Sequence, residues 1–151
     1  MSGRIAFVLA VSACTTVAND AAVDPSTTLN EPAFRCKVEP ILVQQCSYYA
    51  CHGLADSALR VYSVGKLRAT PSADSIAATA PLTEAEQHAN FTSAAGFAAF
   101  AQPAADNWLL RKPLPSDVGG YEHAGGAIYT GISDPMYAAI DSWLRGAASC
   151  N

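Results

Sequence analysis

The chain has 151 residues, half of them hydrophobic by a broad count and 15% charged, with nine basic residues against thirteen acidic ones and a net charge of −4. That length holds one small domain plus some extra chain. The acidic balance and the absence of a basic stripe exclude nucleic acid as a partner.

Residues 1–13 read as a targeting segment. Arg4 supplies a positive start, and Ile5 to Val11 form an apolar run too short to span a bilayer. Val11-Ser12-Ala13-Cys14 then resembles a bacterial lipobox. The resemblance implies a lipoprotein signal peptide cleaved before Cys14, with Cys14 lipidated and the chain held to a membrane without a transmembrane helix. The alternative is an ordinary signal peptide with an incidental cysteine. Losing residues 1–13 removes Arg4 and no acid, so the mature chain carries eight basic and thirteen acidic residues, or −5. Thr15, where an aspartate would favour inner-membrane retention, points to the outer membrane, facing periplasm or exterior. Residues 14–31 are small, polar and unpatterned, as a flexible tether is. Residues 32–151 form the domain.

The spacing predicts a first helix from about Ala33 to Gln45, with Phe34, Val38, Ile41 and Leu42 on one apolar face. Pro40 lies inside it, so the regular helix starts as late as Glu39, with Pro40 in its first turn. The helix delivers Cys46. From there Cys46-Ser47-Tyr48-Tyr49-Ala50-Cys51-His52-Gly53 has the arrangement of a c-type haem attachment site, with four residues between the cysteines instead of two. Each thiol can add to a porphyrin vinyl group as a thioether, and the adjacent histidine is then held where its imidazole ligates the iron. The two extra residues must bulge away from the ring. Two other readings exist. One is a Cys46–Cys51 disulfide. The other is a zinc site, which needs four ligands and finds no second pair nearby.

Ala58 to Tyr62 reads as a short extended segment in a loop that covers the cofactor. Arg60, Lys66 and Arg68 are candidates to neutralise haem propionates, against the plainer reading of a solvated basic edge. Thr83-Glu84-Ala85-Glu86 is a capping box opening a helix to about Ala101, with Phe91, Phe97 and Phe100 inward and His88 on the surface. A short capped helix follows Asp106-Asn107, with Trp108 and Leu109 expected inward. Residues 112–130 are loop. Within them His123 sits between glycine pairs that allow close backbone approach to a flat ligand, so it is either an iron ligand or a polar turn residue. The last helix, capped by Ser133 with Pro135 in its first turn, stops at Gly146. Met136, Ala139, Ile140, Trp143 and Leu144 form its apolar face. Met136 is the alternative sixth ligand.

Three stretches carry a wider likeness. They are Val38-Glu39-Pro40-Ile41-Leu42 leading into Cys46 to Gly53, then Leu109-Leu110-Arg111-Lys112-Pro113 followed by His123-Ala124-Gly125-Gly126, and Asp134-Pro135-Met136-Tyr137 leading into Trp143-Leu144. With these, residues from about Phe34 to Cys150 resemble exported bacterial cytochrome c-like domains. The resemblance implies a mainly α fold, a small helical domain with long loops wrapped around one haem c. Cys46 and Cys51 attach it, His52 is the proximal ligand, and His123 is preferred to Met136 as the distal one. With Cys14 lipidated and two cysteines on haem, Cys36 and Cys150 remain to pair as a disulfide. The haem-free reading also leaves an even count, as two disulfides.

The expected function is monohaem electron transfer at the cell envelope, with other cytochromes or copies of the same chain as redox partners. No acid–base dyad, nucleophile elbow or phosphate loop points to an enzyme. The alternative is a haem-free, disulfide-stapled surface lipoprotein with a binding or assembly role.

Overall fold

Asn30 starts the first helix by accepting the Ala33 N–H on its side-chain oxygen at 2.9 Å. A computed structural model describes residues 29–70, 79–98 and 104–150. Residues 1–28, with Cys14 and most of the tether, and Phe100 lie outside them. Helix α1 is continuous but built in three pieces: an α-turn at Glu31–Ala33, a π-helical stretch at Phe34–Val38, and an α-helix at Glu39–Gln45. Helix formation therefore begins two residues before Ala33. Pro40 explains the middle piece. It has no N–H to donate, and its ring crowds the carbonyl four residues back, so a regular ladder cannot run through it. The wider turn falls immediately ahead of it.

Helix α2 spans Glu84–Ala98. Its capping box is reciprocal, as predicted. The Glu86 N–H donates to Thr83 Oγ1 at 3.2 Å, and the Thr83 N–H donates to the Glu86 carboxylate at 2.9 Å. The expected continuation to Ala101 lies outside the described residues. Helix α3 is short, Trp108–Arg111, and Asn107 caps it by accepting the Leu109 N–H. Helix α4 is Pro135–Leu144. Its cap is Asp134 and not Ser133. The Asp134 carboxylate accepts N–H groups from both Met136 and Thr130 (2.8 and 2.9 Å), tying helix to loop in a way a single hydroxyl does not. Gly146 follows the helix in the left-handed region at φ +69°, the stop that the sequence suggested.

These elements meet on three aromatic rings, Phe34 of α1, Phe91 of α2 and Trp143 of α4, with centroids 5.2–6.3 Å apart. Trp143 and Ile140 are fully buried. Tyr137 joins them in place of the less buried Met136, because its ring meets Tyr129 edge-on at 5.7 Å. The predicted α4 face is thus rotated slightly. A disulfide joins Cys36 to Cys150 across 114 positions, and the Trp143 indole N–H donates to the Asn30 carbonyl at 3.1 Å. The described fold is mainly α, and no strand occurs among the described residues. None of the described helices is long and apolar enough to cross a membrane.

Candidate functional site

The chain leaves α1 at Cys46 and turns at once. The His52 N–H donates back to the Cys46 carbonyl at 3.1 Å, while the Tyr48 carbonyl accepts N–H groups from both Cys51 (2.8 Å) and Gly53 (2.9 Å). These bonds close residues 46–53 into a loop whose extra length goes outward. Tyr48 and Tyr49 are more than half exposed, whereas Cys46, Cys51 and His52 line the wall of a cavity of about 590 Å³. A four-residue spacer therefore still turns both thiols and the histidine to one side. Both thiols are free, and no disulfide joins them. Burial, with a smaller push from Cys51, raises the Cys46 thiol to about 11.

Gly53 is needed for closeness. A Cβ there would lie 2.3 Å from the Ser47 carbonyl oxygen. Ser47 is itself buried and receives the Lys66 ammonium on its hydroxyl at 2.9 Å. The same ammonium sits 3.8 Å from the centre of the Tyr48 ring, so Lys66 stiffens the loop from outside.

The opposite wall is built after α3. The Tyr121 N–H bonds the Arg111 carbonyl, and Ile128 and Tyr129 both donate to the Pro113 carbonyl at 2.8 and 3.1 Å. His123, Ala124 and Gly125 face the cavity between these anchors. Gly126, at φ +73°, closes the turn by donating to the His123 carbonyl at 2.8 Å, and its own carbonyl lies 3.1 Å from His123 Nδ1. A Cβ on Gly125 would come within 3.1 Å of the imidazole, so the ring lies against bare backbone.

The two histidines face each other across this space. Their ring centroids are 6.0 Å apart and their planes are within 11° of parallel. That separation is too large for face-to-face contact. His52 Nδ1 is 2.9 Å from the Leu59 carbonyl, and a carbonyl can only accept, so each of these two contacts is a hydrogen bond when its ring has the proton on Nδ1, the tautomer that leaves the Nε2 lone pair to a ligand. Burial, more than the nearness of His123, lowers the His52 pKa and keeps the ring neutral; the Leu59 bond opposes this. Neutral imidazoles whose second nitrogen donates to a carbonyl are the usual metal-ligating form. Two imidazoles bound end-on to one metal at about 2 Å would hold their centres roughly 6 Å apart, once the roughly 1 Å from nitrogen to ring centre is included.

No group of three or more His, Cys, Asp or Glu side chains is gathered to hold a metal among the described residues. A bare zinc or calcium centre is thus poorly served. A macrocycle that brings its own nitrogens would ask the protein for two further ligands, which His52 and His123 would supply, and Cys46 and Cys51 line the same cavity.

Other expectations fall differently. Met136 packs against the core and is not among the cavity-lining residues. His88 is exposed, 3.0 Å from Glu31. Trp108, expected inside, is half exposed and stands at the cavity wall, because in so short a helix Leu109 and Leu110 take the core side. Arg68 is bound by both oxygens of buried Glu86 at 2.9 Å, and Lys66 is engaged with Ser47. Lys112, not singled out from sequence, lines the cavity instead and donates to the Glu122 carbonyl at 3.0 Å. Tyr129 also lines it, its hydroxyl on the Leu109 carbonyl at 3.0 Å. Among known proteins, no family model, curated protein or solved structure matches this chain.

Proposed function

We propose that this chain is a monohaem c-type cytochrome of cytochrome c-like fold that carries electrons at the cell envelope. One observation carries the reading. Two near-parallel imidazoles, each with Nδ1 committed to a carbonyl, stand 6.0 Å apart across a cavity that also holds two free thiols. Cys46 and Cys51 would attach haem, and His52 and His123 would be its axial ligands. When bound, the haem supplies an iron that alternates between ferric and ferrous states. The chain's own residues do the rest. The Leu59 and Gly126 carbonyls orient the rings, Leu42, Leu59 and Phe97 make the cavity apolar, and Lys112 places a cation at its wall. With His52 and His123 both bound, no position on the iron would be left for oxygen, which would favour electron transfer over oxygen activation and a lower potential than a His/Met pair. The lipid anchor at Cys14, the outer-membrane location and the redox partners (other cytochromes, or copies of the chain) belong to the same proposal and rest on sequence.

The test is expression with a haem-attachment export system, denaturation in alkaline pyridine and the reduced spectrum. The expected band is that of thioether-linked haem. No haem band, with Cys46 and Cys51 disulfide-linked by mass spectrometry, leaves the stapled surface lipoprotein. His123→Ala should turn a low-spin ferric spectrum high-spin. An unchanged spectrum removes His123 as a ligand.

A further inference from the structure

Residues 59–62 make hydrogen bonds in strict alternation. On one side the Leu59 carbonyl accepts from His52 Nδ1, and the Val61 N–H donates to the His52 carbonyl at 2.8 Å. The odd residues thus grip both the ring and the backbone of His52. On the other side the Arg60 N–H donates to Ser93 Oγ at 2.8 Å. The Tyr62 N–H donates to Asn90 Oδ1 at 2.7 Å, and the Tyr62 carbonyl accepts from Asn90 Nδ2 at 3.0 Å. This is the two-residue period of a strand with side chains of α2 in place of a neighbouring strand.

Asn90 and Ser93 are three residues apart and share a face of α2. Asn90 is 1% exposed, and its remaining Nδ2 hydrogen goes to buried Glu39 of α1 at 2.9 Å, so its amide is fully used. A buried asparagine in a helix interior is costly unless every polar atom is satisfied. Here two of the three bonds fix Tyr62 and the third ties the amide to α1.

We propose that Asn90 and Ser93 are positioning residues for the His52 ring, holding residues 59–62 at the register that presents the Leu59 carbonyl to Nδ1. The redox consequence rests on the haem reading; the placement of the ring does not. The acceptor on the second nitrogen sets a ligand's tautomer and raises its basicity. With haem bound, loosening it would make His52 a weaker donor to the iron and would raise the potential.

The test uses the full-length chain with ¹⁵N-labelled histidine, expressed without haem attachment and with the Cys36–Cys150 bond formed. Long-range ¹H–¹⁵N correlation reads each tautomer. In the wild type His52 and His123 are both Nδ1–H. Ser93→Ala should cost His52 its Nδ1–H form as the major species, while His123, whose acceptor lies in its own turn, does not change. Ser93→Thr, which keeps the hydroxyl, should restore the wild-type pattern. Asn90→Ala should act like Ser93→Ala, and if it fails to fold the Ser93 pair decides. A wild-type His52 that is Nε2–H, or a folded Ser93→Ala chain with an unchanged His52, overturns the proposal. In that case burial of Leu59 and Val61 alone sets the register. In a haem-loaded chain Ser93→Ala should raise the midpoint potential. A moved tautomer in a chain that takes up no haem upholds the positioning and removes the haem reading. A haem-loaded chain with an unmoved tautomer does the reverse.

Discussion

Replacing Gly53 by alanine puts one methyl group where no side chain can give way. The new Cβ would sit 2.3 Å from the Ser47 carbonyl oxygen and 3.0 Å from the carbonyl carbons of Ser47 and Tyr48, whereas ordinary contact begins at 3.4 Å. All three neighbours are backbone. They belong to the turn that the Tyr48 carbonyl closes, and Ser47 is buried and held by Lys66. Relief therefore requires the backbone to part by about 1.1 Å, the gap between those two distances. His52 is the adjacent residue, and as the proposed iron ligand it would tolerate a shift of only about 0.2 Å. Overpacking of this kind costs about 1–3 kcal/mol. With a urea slope of about 1–3 kcal/mol/M for a small domain, the midpoint should fall by on the order of 1 M. Urea denaturation gives the stability, and on the haem reading proposed above haem content with the ferric spectrum gives the ligation. A Gly53→Ala chain that melts with the wild type and keeps its ferric spectrum would show that the loop has slack, and would refute the reasoning.

The companion substitution runs the other way. Gly96 lies within α2 with nothing inside 4 Å of an added Cβ, so Gly96→Ala should stabilise by about 0.4–1 kcal/mol in the same melts. Breaking the Cys36–Cys150 bond, by reduction or by paired serine substitution, frees a loop of 114 positions. Loop-closure entropy sets the loss at up to about 4–5 kcal/mol, read as the difference between denaturation with and without the bond. Acid should act through Glu86, which the Arg68 hydrogen bond, with the Thr83 and Ala69 N–H groups, holds at about 2 against burial. A depressed carboxyl stabilises fully above its unfolded value, near 4.5, and loses that contribution as pH falls toward 2. Glu86→Gln should therefore lower stability at neutral pH and flatten its decline over that window. An unaltered acid limb would assign the decline to other groups.

Local chemistry was the legible part of the sequence. Thr83 and Glu86 cap as a pair because both partners lie within one turn, and Gly146 stops α4 because a left-handed residue is needed there. Cys36 and Cys150 were the pair left over on the reading that gave Cys14 to lipid and Cys46 and Cys51 to haem, although the count alone also allowed two disulfides. Periodicity located α4 but not its rotation, since Tyr137 turns inward for the sake of Tyr129, a partner eight positions away in a loop. Trp108 was misplaced for a related reason. Hydrophobicity alone does not tell a core position from a cavity wall. Asn90 and Ser93 act through hydrogen bonds to a segment about 30 positions away that no spacing rule connects to them. The outward course of Tyr48 and Tyr49 depended on which carbonyl closes the turn, and a residue count does not specify that.

On the proposed lipid tether, the sulfur bridge would also have a mechanical meaning. Load arriving along the chain ahead of Asn30 meets a little more than one turn of helix before Cys36. There the covalent path divides, and tension can cross to Cys150 without travelling through the intervening chain. The indole bond from Trp143 to Asn30 braces the point of entry. Shear or drag on such a tether would then strain the first turns of α1, while the loops carrying His52 and His123, both inside the bridged span, would be shielded from the pull.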